Sequence, residues 1–195
     1  MEGSIALACR LSVVVSLAAV ALPGCGGNER QDADEPSGTF QVDVVRASFP
    51  AKQHLAAPVR FVIAVRNTGH DTVPNVSVTV NSFSERSEQA GLADPQRAVW
   101  IVDSAPRGGD TAYTSTWALG RLAPGQTRRF VWRVTAVRAG THTVKWQVAA
   151  GLNGKAKATL SGNRAPAGSV TVDVSEKPAQ ARVDPETGKV VRDDE

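Results

Sequence analysis

Three histidines, at 54, 70 and 142, are the residues best suited to bind a metal or to act as a general base. They are far apart in the chain, and no C-x-x-C, H-x-x-H or H-E-x-x-H spacing brings two ligands to one face of an element. A G-x-S-x-G elbow, a Ser-x-x-Lys pair and a Cys/His couple, each of which would activate a nucleophile, are also absent from the sequence. We therefore predict a non-catalytic protein with no metal site and no cofactor.

Cysteine chemistry offers a clearer candidate. The chain contains only Cys9 and Cys25. An apolar run, residues 11–22, follows Arg10 and is shorter than the roughly 20 residues that span a bilayer, so it indicates a signal peptide. The run leads into Leu22-Pro23-Gly24-Cys25, which resembles the bacterial lipobox. That resemblance implies removal of residues 1–24 and attachment of a lipid to Cys25.

The number of cysteines favours the same interpretation. Cys9 would leave with the signal peptide, and an exported chain with one remaining cysteine cannot form an internal disulfide. A lipid on Cys25 accounts for that cysteine and predicts a protein held at the outer face of the cell membrane. The alternative is cleavage after Ala19-Val20-Ala21, which would release a secreted protein.

Composition divides the mature chain into a domain between two polar segments. Residues 25–38 contain no large apolar side chain and are predicted to be a flexible tether, because they cannot bury enough surface to order themselves. Residues 39–176 are predicted to form one domain. Residues 177–195 are predicted to be a flexible polar tail, in which residues 183–191 could close a small hairpin over Pro185 and Gly188.

The domain shows a hydrophobic period of two, which is typical of half-buried strands. Turn residues follow several of these strands, and Asn153-Gly154 is predicted to join 145–150 to 156–160 as a hairpin. No segment shows a helical stripe with caps. Seven or eight short strands without a disulfide favour an all-β, two-sheet antiparallel sandwich, with a closed barrel as second choice. The inward sets are Phe40/Val42/Val44, Val59/Phe61/Ile63/Val65, Val76/Val78/Val80, Phe130/Trp132/Val134, Val144/Trp146/Val148 and Val170/Val172/Val174.

Several motifs of the domain resemble a known family. Residues 61–69, Phe-Val-Ile-Ala-Val-Arg-Asn-Thr-Gly, and the following strand 76–80 are similar to the V-x-N-x-G strand-turn-strand of CARDB-type domains of bacterial cell-surface proteins. Residues 119–126, 130–134 and 139–144 supply the other expected pieces in order. The resemblance covers about residues 40–174. It implies an immunoglobulin-like sandwich used as a spacer or adhesive module, and it does not fix an activity.

The segment 82–115 is longer than the connection expected in that family and is the predicted contact loop. Long loops on a rigid sandwich commonly carry binding residues. The candidates in this loop are Trp100, Arg107, Asp110 and Tyr113. They support an alternative function, a secreted carbohydrate-binding domain that uses Trp100 and Tyr113, although residues 98–102 could equally be another strand.

The remaining tryptophans are predicted to be core residues. Trp132 and Trp146 are in period with apolar neighbours, and Trp117 precedes the motif at 119–122. The net charge is only +3 and the basic residues are spread along the chain, which argues against a nucleic-acid partner. The expected partners are therefore a membrane, through the lipid, and an envelope protein or polysaccharide. The sequence does not predict an oligomeric state.

Overall fold

The computed structural model describes residue 30 and residues 32–83, 86–88 and 96–192. The predicted signal peptide and Cys25 lie outside the described residues. Regular structure in the described part consists of β-strands and one short 3₁₀ helix, Asn81–Phe83. The strands are β1 (Gly38–Ser48), β2 (Lys52–Leu55), β3 (Pro58–Asn67), β4 (Ser77–Thr79), β5 (Arg86–Glu88), β6 (Gln96–Ala98), β7 (Trp100–Ser104), β8 (Thr116–Ala118), β9 (Thr127–Ala136), β10 (Gly140–Ala149), β11 (Ala156–Thr159), β12 (Ala167–Pro178), β13 (Ala181–Val183) and β14 (Val190–Arg192).

Two five-stranded sheets form a sandwich, which confirms the predicted fold class. The first sheet has the order β11-β1-β3-β9-β7, and the second has the order β2-β12-β10-β4-β8. The central pairings are antiparallel, whereas β11 pairs with β1 and β2 pairs with β12 in parallel at the sheet edges. Hydrophobic alternation along a strand shows which of its faces is buried, but not which strand lies beside it. These parallel pairs could therefore not be predicted from the alternation.

The space between the sheets is filled by the side chains that the alternation predicted to face inward. Phe61, Ile63 and Val65 on β3 are fully buried, as are Phe130 and Trp132 on β9. Trp146 is also buried, so the core assignment of both tryptophans is confirmed. Trp117 is partly buried and packs against this core.

An asparagine at the end of β3 fixes the turn of the predicted strand-turn-strand motif. Asn67 is 1% exposed. Its Nδ2 donates to the carbonyl oxygens of Asp71 and Leu122, both at 2.8 Å, and its Oδ1 accepts from the amide of Gly69 at 2.9 Å. One side chain therefore ties the turn to the segment that precedes β9.

The predicted hairpin over Asn153 and Gly154 is wrong. Strand β11 does not return along β10 but pairs in parallel with β1, in the other sheet, with Gly38 opposite Ala156. The amides of Leu152 and Asn153 donate to the carboxylate of Glu35 instead of closing a two-residue turn. The Asn-Gly signal therefore marks a crossover between the sheets.

The segment after residue 176 continues the β-structure. Strand β12 extends to Pro178, and β13 and β14 form an antiparallel hairpin in which Val183 lies opposite Val190. Asp184 accepts hydrogen bonds from the amides of Glu186 and Thr187 and so shapes the turn. Residues 193–195 lie outside the described part of the chain.

Candidate functional site

The predicted contact loop, 82–115, is not a single loop. It contains the end of the 3₁₀ helix, the short pair β5–β6, and β7, which is an edge strand of the first sheet. Among the described residues of this segment, the longest connection without a strand is 105–115, between β7 and β8. Residues 84–85 and 89–95 lie outside the described residues.

Trp100 is a core residue, and this corrects its assignment as a surface contact. It begins β7 and is 2% exposed. Its Nε1 donates to Oε1 of Gln53 at 2.9 Å, and its ring lies 5.6 Å from that of His142 and 5.8 Å from that of Phe49. A buried indole with its polar group already bonded offers no face to a sugar ring, so Trp100 cannot serve the carbohydrate-binding alternative in this conformation.

The other three candidates lie on the connection that follows β7, at separate positions. Arg107 is exposed just beyond the strand end. Asp110 forms a backbone bridge with Trp117. Tyr113 is 37% exposed, and its hydroxyl is engaged by residues of the N-terminal segment. The structure therefore does not gather the four predicted residues into one contact surface.

The side chain of Tyr113 holds the segment that leads back toward Cys25. The hydroxyl donates to Oδ2 of Asp32 at 2.7 Å and accepts from Nη2 of Arg30 at 2.9 Å. Arg30 also donates to both carboxylate oxygens of Asp32 at 3.0 and 2.9 Å. The Asp32 side chain is 2% exposed, whereas that of Arg30 is 73% exposed. The buried Asp32 carboxylate thus accepts hydrogen bonds from a neutral donor and a charged donor. These bonds offset the free-energy cost of removing it from water.

A second carboxylate clamps the same segment to the sandwich. Oε2 of Glu35 accepts from the amides of Leu152 at 2.6 Å and Asn153 at 3.2 Å, and Oε1 accepts from Nδ2 of Asn75 at 3.2 Å. The side chain of Asn153 in turn donates to the carbonyl oxygen of Asp32 at 2.8 Å. We refer to residue 30 and residues 32–38 as the docked segment.

The docked segment lies within the predicted tether, 25–38, and is hydrogen-bonded to the sandwich. The prediction relied on the lack of large apolar side chains, but the segment binds through carboxylates and an arginine instead. Hydrophobicity alone could not reveal Asp32 and Glu35 as contact residues, because their partners at 113 and 152–153 are distant in sequence. The part of the tether from 25 to 29, with residue 31, lies outside the described residues.

A polar groove of about 580 Å³ separates the docked segment from the β8 edge of the second sheet. Its charged lining residues are Arg30, Asp34, Glu35 and Arg121. Since both signs of charge are present and Glu35 is already bonded, the groove has no net preference for an anion or a cation. We call this groove the seam. Its role is structural, because the docked segment is held along it.

We expect replacement of Glu35 by alanine to release the docked segment. The amides of Leu152 and Asn153 and the side chain of Asn75 would lose their acceptor, at a cost of about 1–3 kcal/mol in the free energy of docking. Hydrogen exchange of those two amides, read by NMR, should become at least about fivefold faster. Asp34→Ala, which removes a neighbouring exposed carboxylate, is the matched control and should leave both exchange rates unchanged. Unaltered exchange in Glu35→Ala would show that the clamp does not hold the segment.

Docking should also weaken at acid pH. Hydrogen bonds from the Tyr113 hydroxyl and from the Arg30 guanidinium hold the pKa of the Asp32 carboxyl below its ordinary value. A carboxyl with a lowered pKa in the docked state stabilises that state fully above its ordinary pKa of about 4, and loses this contribution as the pH falls through the docked pKa. Exchange of the Ala33 amide, which donates to the Arg30 carbonyl oxygen, should therefore quicken below about pH 4 beyond its intrinsic trend. Asp32→Asn should remove that additional pH dependence, and its persistence would assign the effect to another group.

The described residues provide neither a metal-binding group nor a membrane-spanning helix. Within 30, 32–83, 86–88 and 96–192, no group of three or more His, Cys, Asp or Glu side chains is arranged to hold a metal ion. In the same part of the chain, no helix has the length and apolar character needed to cross a bilayer.

Comparison with known proteins gives similarity at the level of architecture. No family model and no curated protein matches the chain. Among solved structures, the chain is similar to a CARDB domain from Pyrococcus furiosus crystallised with di-metal ions, with 14% identity over 70% of this chain and 86% of that one and a TM-score of 0.40. It is also similar to a PapD-like domain of human CEP192, with 12% identity, 86% and 98% coverage and a TM-score of 0.42.

A further similarity is to part of Escherichia coli alpha-2-macroglobulin activated by porcine elastase. The identity is 16%, the TM-score is 0.41, and the match covers 72% of this chain and 10% of that one. At these scores and identities the similarities carry no argument about family or activity. The assignment of an all-β sandwich rests on the two sheets and the core between them.

Proposed function

We propose that this chain is a non-catalytic module of the bacterial cell surface, anchored through a lipid on Cys25, whose sandwich spaces or contacts an envelope protein or polymer. The observation that carries the proposal is the docked segment. The chain that leads from the lipobox is fixed to the sandwich from Asp32 onward, by Tyr113 on one side and by the amides at 152–153 on the other.

This arrangement supports a short and directed attachment. The five residue steps from Cys25 to Arg30 span at most about 18 Å, whatever their conformation. Arg30 is hydrogen-bonded to the sandwich at Tyr113. A lipid on Cys25 would therefore hold the 105–115 connection close to the membrane. A flexible tether of residues 25–38 would have allowed the domain a much wider range of positions.

The polar side chains of this region already make hydrogen bonds within the chain. Trp100, Tyr113, Asp32 and Glu35 each bond another part of the chain. Their arrangement favours a packing and attachment role over a sugar site or a reactive centre. The motifs at 61–69 and 119–144 resemble those of CARDB-type spacer or adhesive modules. Such a module is consistent with these packing and attachment roles.

The lipid is tested by mass spectrometry of the mature N-terminus, together with metabolic labelling by a fatty-acid analogue. We expect a mature chain that begins at Cys25 and carries diacylglyceryl and acyl groups. Cys25→Ser should abolish labelling and membrane retention, and Cys9→Ser, the matched control, should change neither. A mature chain that begins at Leu22 with an unmodified thiol would overturn the anchor and leave a secreted protein.

A further inference from the structure

The outward face of the first sheet carries a concentration of arginines. On β3 the buried residues Phe61, Ile63 and Val65 face the core, so the exposed residues at positions 60 and 66 face outward. On β9 the buried residues 130, 132 and 134 place 129 and 133 on the same outward face. Arg46 of β1 joins them, because it pairs with Ala64, which is 3% exposed but has the same parity along β3 as Arg60 and Arg66. We call this surface the arginine face; its members are Arg46, Arg60, Arg66, Arg129 and Arg133.

Strand register brings these cations close together. Arg60 lies directly opposite Arg133, and like charges at opposed positions destabilise a sheet. Ala64 lies between Arg46 and Arg129, which places a cation on each side of it across two strand spacings, about 10 Å apart. An arrangement that costs stability in the isolated chain is explained if an anionic partner neutralises it.

The acidic residues on this face are fewer than its five arginines. Asp43 lies opposite Arg66, and Asp103 accepts from the hydroxyl of Thr135 at 2.7 Å. Within the part of the chain that the structure describes, none of the five arginines is in a salt bridge. The positive charge of the face therefore exceeds its negative charge.

The outward face of the second sheet is different. It presents mainly hydroxyl side chains, and its charged residues include Lys52, Lys145 and Asp173. The hydroxyl residues include Thr79, Thr116, Thr141, Thr143, Ser169 and Thr171. Five arginines that are separated in the sequence thus lie on one side of the sandwich.

Two exposed aliphatic side chains and a groove complete the surface. Ile101 of the edge strand β7 is 52% exposed, and Val45, the unpaired residue at the bulge in β1, is 50% exposed. A groove of about 430 Å³, lined by Arg60, Arg107 and Arg129, has no acidic residue in its lining. Guanidinium groups bind phosphate oxygens in a bidentate manner, and exposed aliphatic residues beside them are typical of proteins that lie on anionic bilayers.

We propose that the arginine face docks on the anionic phospholipid headgroups of the membrane that carries the anchor. The proposal rests on the proposed lipid at Cys25 for its proximity to the bilayer. Gly108 lines the seam beside Arg30, and its neighbour Arg107 lines the groove of the arginine face, so the attachment and the face share one end of the sandwich. Lipid and arginines then act as two membrane contacts, with the first ensuring attachment and the second setting orientation.

The test is arginine accessibility in the full mature chain. The mature chain, as isolated from cells, is mixed with vesicles of phosphatidylcholine alone or with phosphatidylglycerol and labelled with phenylglyoxal. The labelling of each arginine is then read by peptide mass spectrometry. We expect Arg60, Arg129 and Arg133 to be labelled about fivefold more slowly on the anionic vesicles, consistent with a contribution of the order expected for one basic residue at such a surface. The difference should vanish at high salt. Exposed Arg164, which lies outside the face, is the internal reference and should label equally on both.

Charge-removing variants supply the matched comparison. Arg60→Gln with Arg133→Gln should return the labelling rate of Arg129 to its value on neutral vesicles, whereas Lys52→Gln with Lys145→Gln, on the other sheet, should leave its protection intact. Equal labelling on both vesicles would overturn the proposal, as would protection by soluble polyphosphate without protection by anionic vesicles. Failure to remain on neutral vesicles would instead overturn the lipid anchor, and in that case salt-sensitive protection on anionic vesicles would still support docking by the face.

Discussion

Asn67→Asp is expected to destabilise the sandwich by about 3–5 kcal/mol, because it leaves a buried charge facing two acceptors. The amide Nδ2 of Asn67 donates to the carbonyl oxygens of Asp71 and Leu122. An aspartate would retain the acceptor for the Gly69 amide but would present an oxygen to both carbonyls. Because the side chain is 1% exposed, water cannot compensate. Urea denaturation followed by tryptophan fluorescence measures the loss.

Asn163→Asp provides the control for this experiment. Asn163 is exposed, so the same chemical change there should alter the free energy of unfolding by no more than about 0.5 kcal/mol. If Asn67→Asp were equally mild, the turn would not depend on the side-chain amide, and the V-x-N-x-G resemblance would have no energetic basis in this chain.

Alternation predicted the faces of the strands well, because each inward position is defined by its own neighbours in sequence. Phe61, Ile63 and Trp132 are buried as their parity requires. Residues 98–102 are all apolar, so alternation could not assign a face to Trp100, and the length of segment 82–115 favoured a loop. The structure resolves that ambiguity by adding β7 to the edge of the first sheet.

What sequence could not supply was the position of each strand beside its neighbour. Arg60 and Arg133 are each predictable as outward-facing, yet only the β3–β9 register places them opposite one another. The docked segment is missed for a related reason, since Glu35 bonds amides that lie more than 100 residues away. Local composition identifies Glu35 only as polar and solvated. Its role as a hydrogen-bond acceptor depends on the crossover from β10 to β11, whereas the Asn153-Gly154 pair predicts a hairpin there.

Trp132→Ala should lower the free energy of unfolding by about 3–5 kcal/mol, since it empties the centre of the aromatic cluster. Trp132 is fully buried, and its ring lies 5.2 Å from that of Phe61, 5.3 Å from that of Trp117 and 6.0 Å from that of Phe130. Such a loss would identify this indole as a packing residue and remove it from any sugar-binding platform. Ile101→Ala, on an exposed aliphatic residue, is the control and should change stability by no more than about 0.5 kcal/mol.

Trp132→Phe separates the ring from its polar group. Nε1 of Trp132 is buried without a hydrogen-bond partner among the described residues, and an unpaired buried donor costs about 1–3 kcal/mol. Phenylalanine removes that donor while keeping an aromatic ring, so part of the cost of the lost volume is offset, and we expect a net loss below about 2 kcal/mol. Chemical denaturation of Trp132→Ala, Trp132→Phe and Ile101→Ala under the same conditions ranks their free energies of unfolding. A phenylalanine variant as unstable as the alanine variant would mean that the N–H contributes favourably, through the face of a neighbouring ring, and that the core is built around the whole indole.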